Sequence, residues 1–412
     1  MSKLTRPLAV FGAVLVAMVA LNDGATSPPA LSAERGPDYA ALGSTYLERA
    51  RATGDPAFYS RAERAFRAVL RRDPASVEGL VGAGTLAGLR HDFASQLRLG
   101  SAAGRVGPEL ARPLTVISDA EIELGRYSAA RRSIQRLVNL KPSLPAYARV
   151  SYFRELHGDP DGAIEAMRFA VSAGGSDEST AYVETLLGDL ELVRGDLGAA
   201  RAAYRAALRD LQNFPQALTG LAHIHAAGGD LPGAAARLRR STDRLPLTSS
   251  LTLLAEVQAA LARDAGVRDR RAARRHRRAA SANLAAARAQ YDLLGASRAL
   301  PDAEAVLFEA NHGSPARAVR LGRRVWRAAP SIRSADALGW ALTRDGRPVA
   351  GLAWARRALD TGSVDPLFRL HAGVAARRAG RRREAERYLT AAVKGAAALS
   401  PASMRLLEEA RS

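Results

Sequence analysis

Residues 195–211, GDLGAARAAYRAALRDL, contain the pattern that decides the fold. After a Gly-Asp turn, small or apolar residues stand at Ala200 and at positions 4, 7, 8 and 11 beyond it, which places one apolar stripe along a helix. The glycine permits a positive φ, and the aspartate can cap the helix that follows. This stretch therefore predicts the second helix of a helical hairpin.

The Ala200 position recurs along the chain, and its first six occurrences are separated by 34, 34, 33, 37 and 34 residues. One helical hairpin cannot bury its apolar face alone. A fixed period near 34 therefore indicates hairpins stacked on copies of themselves. The recurring positions are Ala62, Gln96, Ala130, Ala163, Ala200, Ala234, Ala318, Gly351 and Ala385.

Copies that start at Gly125 and Gly229 also contain a closing proline, Pro142 or Pro246. The pattern resembles the tetratricopeptide repeat family over nearly all of residues 38 to 398. That family has small residues where the paired helices cross and a bulky residue on the second helix. The resemblance implies an all-α, right-handed superhelical solenoid of about ten stacked helical hairpins, closed by a C-terminal capping helix after Ser400.

The interval from Ala234 to Ala318 is 84 residues, which leaves room for one degenerate repeat. We predict a long second helix in it, at roughly Arg268 to Leu294. The expected organisation is a signal peptide or membrane anchor with a linker at 1–33, an N-terminal array at 38–246, the degenerate repeat at 247–300, C-terminal repeats at 301–398 and the capping helix at 399–412.

The chain is strongly basic, with 60 Lys and Arg against 41 Asp and Glu, and all but three of the basic residues are arginine. The formal net charge of +19 favours acidic proteins, nucleic acid or an anionic envelope as partners. The absence of cysteine excludes disulfides, thiolate metal sites and a cysteine nucleophile.

The N-terminus has the layout of a secretory signal. Lys3 and Arg6 precede an apolar run from Pro7 to Leu21, which is shorter than the roughly 20 residues that span a bilayer. We expect cleavage after Ala33 and a secreted or envelope-associated protein. An uncleaved anchor and, less favoured, a cytoplasmic chain are the alternatives.

No catalytic motif is visible in the sequence. Gly82, Gly84 and Gly88 follow no strand and have the wrong spacing for a dinucleotide loop. His223 and His225 are two residues apart and point to different faces of a helix, unlike a metal-binding pair. We therefore expect a non-catalytic protein without a metal or cofactor, although clustered buried carboxylates or histidines would favour an enzyme.

The resemblance further implies a concave groove formed by the first helix of each repeat, in which a protein or peptide could bind. Tyr152 or Trp340 could anchor such a segment, and the lack of a basic clamp at these positions favours a neutral or basic one. A solvated helix face is the alternative interpretation. The predicted groove residues are Thr115, Asp119, Tyr152, Thr185, Asp189, Thr219, His223, Asp336 and Trp340.

An arginine cluster provides a second candidate site. Its residues occupy most of the circumference of the predicted long helix, so part of the cluster must be solvated or bound to something acidic. The alternatives are a solvated insert and an anion-binding site for envelope polymer, anionic lipid or nucleic acid. Few aromatics accompany the cluster, which consists of Arg268, Arg270, Arg271, Arg274, Arg275, Arg277 and Arg278.

Overall fold

The computed structural model describes residues 38–412, so the predicted N-terminal signal lies outside the described residues. The described part contains helices and no strand. The first helices of its hairpins are α1 (Tyr39–Thr53), α3 (Val77–Leu89), α5 (Ala111–Glu123), α7 (Leu144–Leu156), α9 (Asp177–Arg194), α11 (Pro215–Ala227), α13 (Thr248–Ala265), α15 (Ala303–His312), α17 (Ile332–Arg344) and α19 (Pro366–Arg378).

The second helices are α2 (Ala57–Arg72), α4 (Phe93–Val106), α6 (Tyr127–Leu140), α8 (Pro160–Ser172), α10 (Leu197–Asp210), α12 (Leu231–Arg244), α14 (Arg270–Ala296), α16 (Pro315–Ala328), α18 (Pro348–Leu359) and α20 (Arg382–Val393). A short 3-10 helix, Ala396–Ala398, and α21 (Pro401–Arg411) follow. The ten predicted hairpins and the terminal helix are thus confirmed, and the predicted long helix is α14.

The small residues of the repeat pattern lie where helices cross. Ala62, Ala130, Ala163 and Ala200 have no exposed surface. Through most of the array, the second helix of one hairpin packs against the first helix of the next. Buried alanine lets the backbones approach closely, and larger side chains beside it fill the core, so the repeat period follows from packing.

Side-chain caps start the helices at most of the predicted positions. Asp159, Ser314, Asp365 and Ser400 each accept a hydrogen bond from a backbone N–H in the first turn of the following helix. Asp55 differs, because α2 begins after Pro56 and the Asp55 carboxylate binds the Ala57 N–H at 2.9 Å.

The C-terminal third packs against earlier hairpins that are far away in sequence. The Ile332 N–H donates to the Tyr127 hydroxyl at 2.9 Å, and the Thr361 hydroxyl donates to the Leu156 carbonyl at 2.6 Å. The 3-10 helix lies against α9 and α11, and α21 contacts α13. We call this contact between the C-terminal third and helices α6, α7, α9, α11 and α13 the inner interface. None of the helices within residues 38–412 is long and apolar enough to cross a membrane.

Candidate functional site

The predicted groove residues lie inside the folded chain. Each is buried, and the largest exposed fraction among them is 8%, at Asp189. The expectation that they line an open groove is therefore wrong, because the inner interface and the packing between neighbouring hairpins cover them. The residues concerned are Thr115, Asp119, Tyr152, Thr185, Asp189, Thr219, His223, Asp336 and Trp340.

Asp119 pairs with Arg149 across two neighbouring hairpins. Arg149 Nε lies 2.8 Å from Asp119 Oδ1, and Nη2 lies 2.7 Å from Oδ2. Both side chains are 1% exposed. Burial raises the pKa of Asp119 to about 6, and Arg149 opposes that rise. The carboxylate thus joins α5 to α7 and is not presented to a partner.

The three threonines are bonded within the packed helices. The hydroxyls of Thr115 and Thr185 donate to the carbonyls of Arg112 and Ala181 at 2.7 and 2.8 Å. The Thr219 hydroxyl lies 2.9 Å from the Ser250 hydroxyl on α13. These bonds satisfy the threonine hydroxyls inside the protein.

Asp189 and His223 are buried titratable groups. The Tyr204 hydroxyl donates to Asp189 Oδ1 at 2.6 Å. Burial raises the pKa of Asp189 to about 8, although this hydrogen bond opposes the shift. Burial lowers the pKa of His223 to about 4, so its imidazole is neutral at pH 7.

Tyr152 and Trp340, the two proposed anchors, also have internal partners. The Tyr152 hydroxyl donates to Glu123 Oε1 at 3.2 Å and lies 3.5 Å from Arg333 Nη1 across the inner interface. Trp340 Nε1 donates to Asn311 Oδ1 at 2.9 Å. Neither aromatic ring is available to an external peptide.

Asp336 completes the group around Trp340. His371 stacks on Trp340 with ring centroids 4.2 Å apart, and its Nδ1 lies 2.9 Å from Asp336 Oδ2. All three side chains are at most 3% exposed. The group is a hydrogen-bonded part of the C-terminal core.

Buried carboxylates do gather at the inner interface. Burial and then Asp365 raise the pKa of Glu155 to about 7, whereas Arg333 opposes the shift. Burial also raises the pKa of Glu123, again against Arg333. Within residues 38–412, no three His, Asp or Glu side chains are grouped so that they could hold a metal ion. Glu123 connects two packed helices, because its carboxylate accepts a hydrogen bond from Tyr152.

The arginine cluster lies at the start of α14 and in the turn before it, at the tip of the α13–α14 hairpin. All seven arginines are exposed, and none forms an ion pair with a carboxylate in the described part of the chain. Ala273, Ala280 and Ala287 form the buried face of α14. The helix has 27 residues and is about 40 Å long. The structure is consistent with both alternatives, a solvated insert and an anion-binding site.

A cavity of about 670 Å³ remains inside the superhelix. Its wall combines aromatic and apolar side chains with six arginines and four carboxylates. They come from hairpins far apart in sequence. The arginines are Arg51, Arg288, Arg317, Arg320, Arg324 and Arg333, and the carboxylates are Asp292, Asp302, Glu304 and Glu309.

Neither a family model nor a curated protein matches the sequence. Solved structures match in fold. MamA is 18% identical, with 39% of this chain and 93% of MamA covered and a TM-score of 0.32. The Cut9-Hcn1 assembly of the APC/C contains a chain that is 13% identical, with coverage of 98% of this chain but only 64% of that one, and a TM-score of 0.45.

YrrB, described as a TPR protein with an unusual peptide-binding site, is 12% identical, with 44% of this chain and 92% of YrrB covered and a TM-score of 0.31. The assignment of the fold rests on the chain itself, which repeats a hairpin about every 34 residues with small residues at the helix crossings. The chain folds as a tetratricopeptide-type solenoid.

In this tetratricopeptide-type solenoid, Thr219 is the one predicted groove residue that lines the cavity, and sequence reasoning missed the rest of its wall. The prediction that a ligand in the concave interior would be neutral or basic considered only first-helix positions. The cavity arginines instead include Arg320 and Arg324 on the second helix α16 and Arg288 near the end of α14. The sequence shows each of these arginines and carboxylates individually. It contains no local spacing that indicates that they line one cavity.

Proposed function

We propose that the protein is a non-catalytic interaction scaffold that binds an acidic segment of a partner protein on the arginine cluster of α14. The observation that supports this proposal is the exposure of all seven arginines without an intramolecular carboxylate partner among the described residues. Guanidinium groups bind carboxylates with two parallel hydrogen bonds, so an acidic segment supplies the partners that the fold leaves out.

An arginine elsewhere in the chain illustrates a guanidinium group that is paired with a carboxylate inside the protein. Arg356 makes two hydrogen bonds to Glu384, at 2.9 and 2.7 Å, between neighbouring hairpins. On α14, burial lowers the pKa of His276, and the neighbouring cations Arg275 and Arg239 lower it further, whereas Asp269 opposes them. Concentrated like charge raises the local potential and favours an anionic partner.

Protein carboxylates suit this surface better than nucleic acid. The segment 268–278 contains no Phe, Tyr or Trp on which a base could stack. Ala273 and Ala280 are buried by the packing of α14, and within residues 268–278 every exposed side chain is charged. Such a surface recognises charge, and it presents no ring on which the bases of a single strand could stack.

A direct test measures the affinity of a fluorescein-labelled oligoglutamate peptide by fluorescence anisotropy. The variant carries Arg270→Glu, Arg274→Glu and Arg277→Glu, and we expect at least about tenfold weaker binding, since several exposed ion pairs of up to about 1 kcal/mol each are reversed. Binding to the natural protein should also weaken between about 50 and about 300 mM salt.

The matched control reverses three exposed arginines elsewhere, Arg131→Glu, Arg201→Glu and Arg205→Glu, and so has the same net charge. It should retain most of the peptide affinity. Equal losses in the two variants would reduce the effect to net charge and overturn the proposal. Tighter binding to duplex DNA or to phosphatidylglycerol vesicles than to the peptide would replace the protein partner with a phosphate-bearing one.

We further propose that the chain is exported and acts outside the cytoplasm. The basic start and the apolar run from Pro7 to Leu21 support this location. N-terminal sequencing and intact mass of the chain recovered from medium, membrane and cytoplasm test it. A chain that begins near Glu34 in the medium is expected, and an intact Met1 chain in the soluble cytoplasm would contradict export.

A further inference from the structure

We propose that the central cavity is a binding site for a small organic anion with an apolar body and a hydrogen-bond donor. This site is separate from the proposed protein-binding surface, because none of the seven arginines of the α14 cluster is in the cavity wall. The two proposals can therefore fail independently.

The size and the apolar part of the wall suit a small molecule. The cavity volume of about 670 Å³ lies in the range of sites that enclose drug-sized ligands. Tyr291 and Phe308 form one side, with ring centroids 5.2 Å apart, and Arg288 lies over the Phe308 ring at 5.3 Å. Tyr59 adds aromatic surface from a distant hairpin. An apolar ligand body would be buried against these rings.

The charges of the wall are unevenly paired. Glu309 lies 3.3 Å from both Arg288 and Arg317, and so serves two cations. Arg333 lies 3.4 Å from Glu304.

Two further wall arginines, Arg320 and Arg324, form no ion pair within residues 38–412 and are exposed. They follow one another by a single helical turn on α16. A ligand carboxylate or phosphate between them would gain two guanidinium partners.

Gln216 provides an independent indication of a ligand. Its side chain lines the cavity, is 5% exposed, and has its Oε1 atom buried without a hydrogen-bond partner. A buried polar atom without a partner is costly, and a ligand donor reaches this oxygen once the amide rotates about its last side-chain torsion and exchanges the positions of Oε1 and Nε2. A donor on the ligand would then satisfy Oε1.

The dye 8-anilinonaphthalene-1-sulfonate has the required chemistry, because it combines an aromatic body, a sulfonate and an N–H donor. We expect one molecule to bind per chain, measured by fluorescence titration and calorimetry. The neutral analogue N-phenyl-1-naphthylamine lacks the sulfonate and should bind at least about tenfold more weakly. Equal affinities of the two dyes, or no saturable site for the sulfonate, would overturn the proposal.

Charge reversal at the cavity tests where the dye binds. The variant Arg320→Glu with Arg324→Glu should weaken sulfonate binding at least about tenfold and leave binding of the neutral analogue unchanged. The matched control, Arg323→Glu with Arg327→Glu, lies on the same helix outside the wall and should bind like the natural protein. Loss of dye binding in the α14 triple variant instead would move the dye to the arginine cluster and sink the cavity assignment.

The substitution Gln216→Leu tests the hydrogen bond. Removing a buried, unpaired amide should raise the Tm of the ligand-free protein, while removing the acceptor weakens sulfonate binding several-fold. A higher Tm together with weaker dye binding is expected for a ligand-binding residue. It is not expected for a residue that serves only packing. A lower Tm with unchanged dye affinity would show that Gln216 serves the fold alone. If Gln216→Leu disturbs the packing, the variant Arg320→Glu with Arg324→Glu still tests the cavity, because both arginines are exposed.

Discussion

The inner interface and the tip of the α13–α14 hairpin use charged residues in opposite ways. At the inner interface, Arg333 meets Tyr152 and Glu304 at 3.5 and 3.4 Å, and its guanidinium is enclosed by the fold. At the hairpin tip, arginines from Arg268 to Arg278 point into solvent without carboxylate partners among the described residues. The same residue type therefore stabilises the superhelix in one region and remains available for binding in the other.

This difference shows that a position within a repeat does not determine whether its side chain is available to a partner. Asp119 and Trp340 occupy first-helix positions that face a groove in an open solenoid, yet both are 1% exposed here. Their burial depends on packing with the next hairpin and on how the whole array closes. Substitutions should accordingly have large effects on stability at the inside of the superhelix and small ones at the hairpin tip.

The largest effect is expected for Asp119→Ala, which leaves Arg149 buried without its carboxylate. The free energy of unfolding should fall by about 3–5 kcal/mol, measured by urea denaturation. The double variant Asp119→Leu with Arg149→Met should recover most of the loss, because it removes both buried charges. A loss below about 1 kcal/mol in Asp119→Ala would show that the pair is solvated and would weaken the contrast between the two regions.

A smaller effect is expected for Gly158→Ala. Gly158 has a φ of 74°, and a Cβ there would overlap the carbonyl of Gly362 across the inner interface. Gly229→Ala is the matched control, since its φ is 80° and no atom lies within 4 Å of the added Cβ. Both pay about 1–2 kcal/mol for the left-handed backbone. Gly158→Ala should lose about 1–3 kcal/mol more by urea denaturation, and equal losses would argue against close contact at this point.

The dependence of stability on pH should also differ between the inside of the superhelix and the hairpin tip. The pKa of Asp189 is about 8 in the folded chain and about 4 in an unfolded one. Its stabilising contribution is thus complete below pH 4 and is lost as the pH rises toward 8, by up to about 1.4 kcal/mol per pH unit. Urea midpoints between pH 5 and pH 8 should fall less in Asp189→Asn than in the natural protein. Asp269→Asn, at the exposed start of α14, should keep the natural slope.

The smallest effect is expected at the hairpin tip itself. Arg274→Ala should change the free energy of unfolding by less than about 0.5 kcal/mol, because the side chain is exposed and unpaired among the described residues. Thermal and urea unfolding measure this. A loss above about 1 kcal/mol would mean that the arginine cluster supports the fold, and it would remove the difference on which the binding proposal depends.

The hairpins could be predicted because their pattern is local. Ala200 and its equivalents repeat at helical spacing, and Asp-Pro or Ser-Pro pairs cap the helices, so nearby residues suffice. The exposure of the arginine run was equally local, since no helix face can bury seven arginines. Closure of the superhelix is not local. It arises from small rotations between successive hairpins, which no short motif specifies, and therefore neither the burial of Trp340 nor the cavity could be derived.

The hydrogen bond between Tyr127 and Ile332 joins residues that are 205 positions apart. A solenoid held only by contacts between neighbours can fray from its ends, one repeat at a time. Here the last hairpins complete the core of the middle ones, so removing them would uncover apolar surface far away in sequence. The chain should therefore lose its structure in one cooperative transition, and it should fold slowly for a helical protein, because these distant contacts must form before the array is complete.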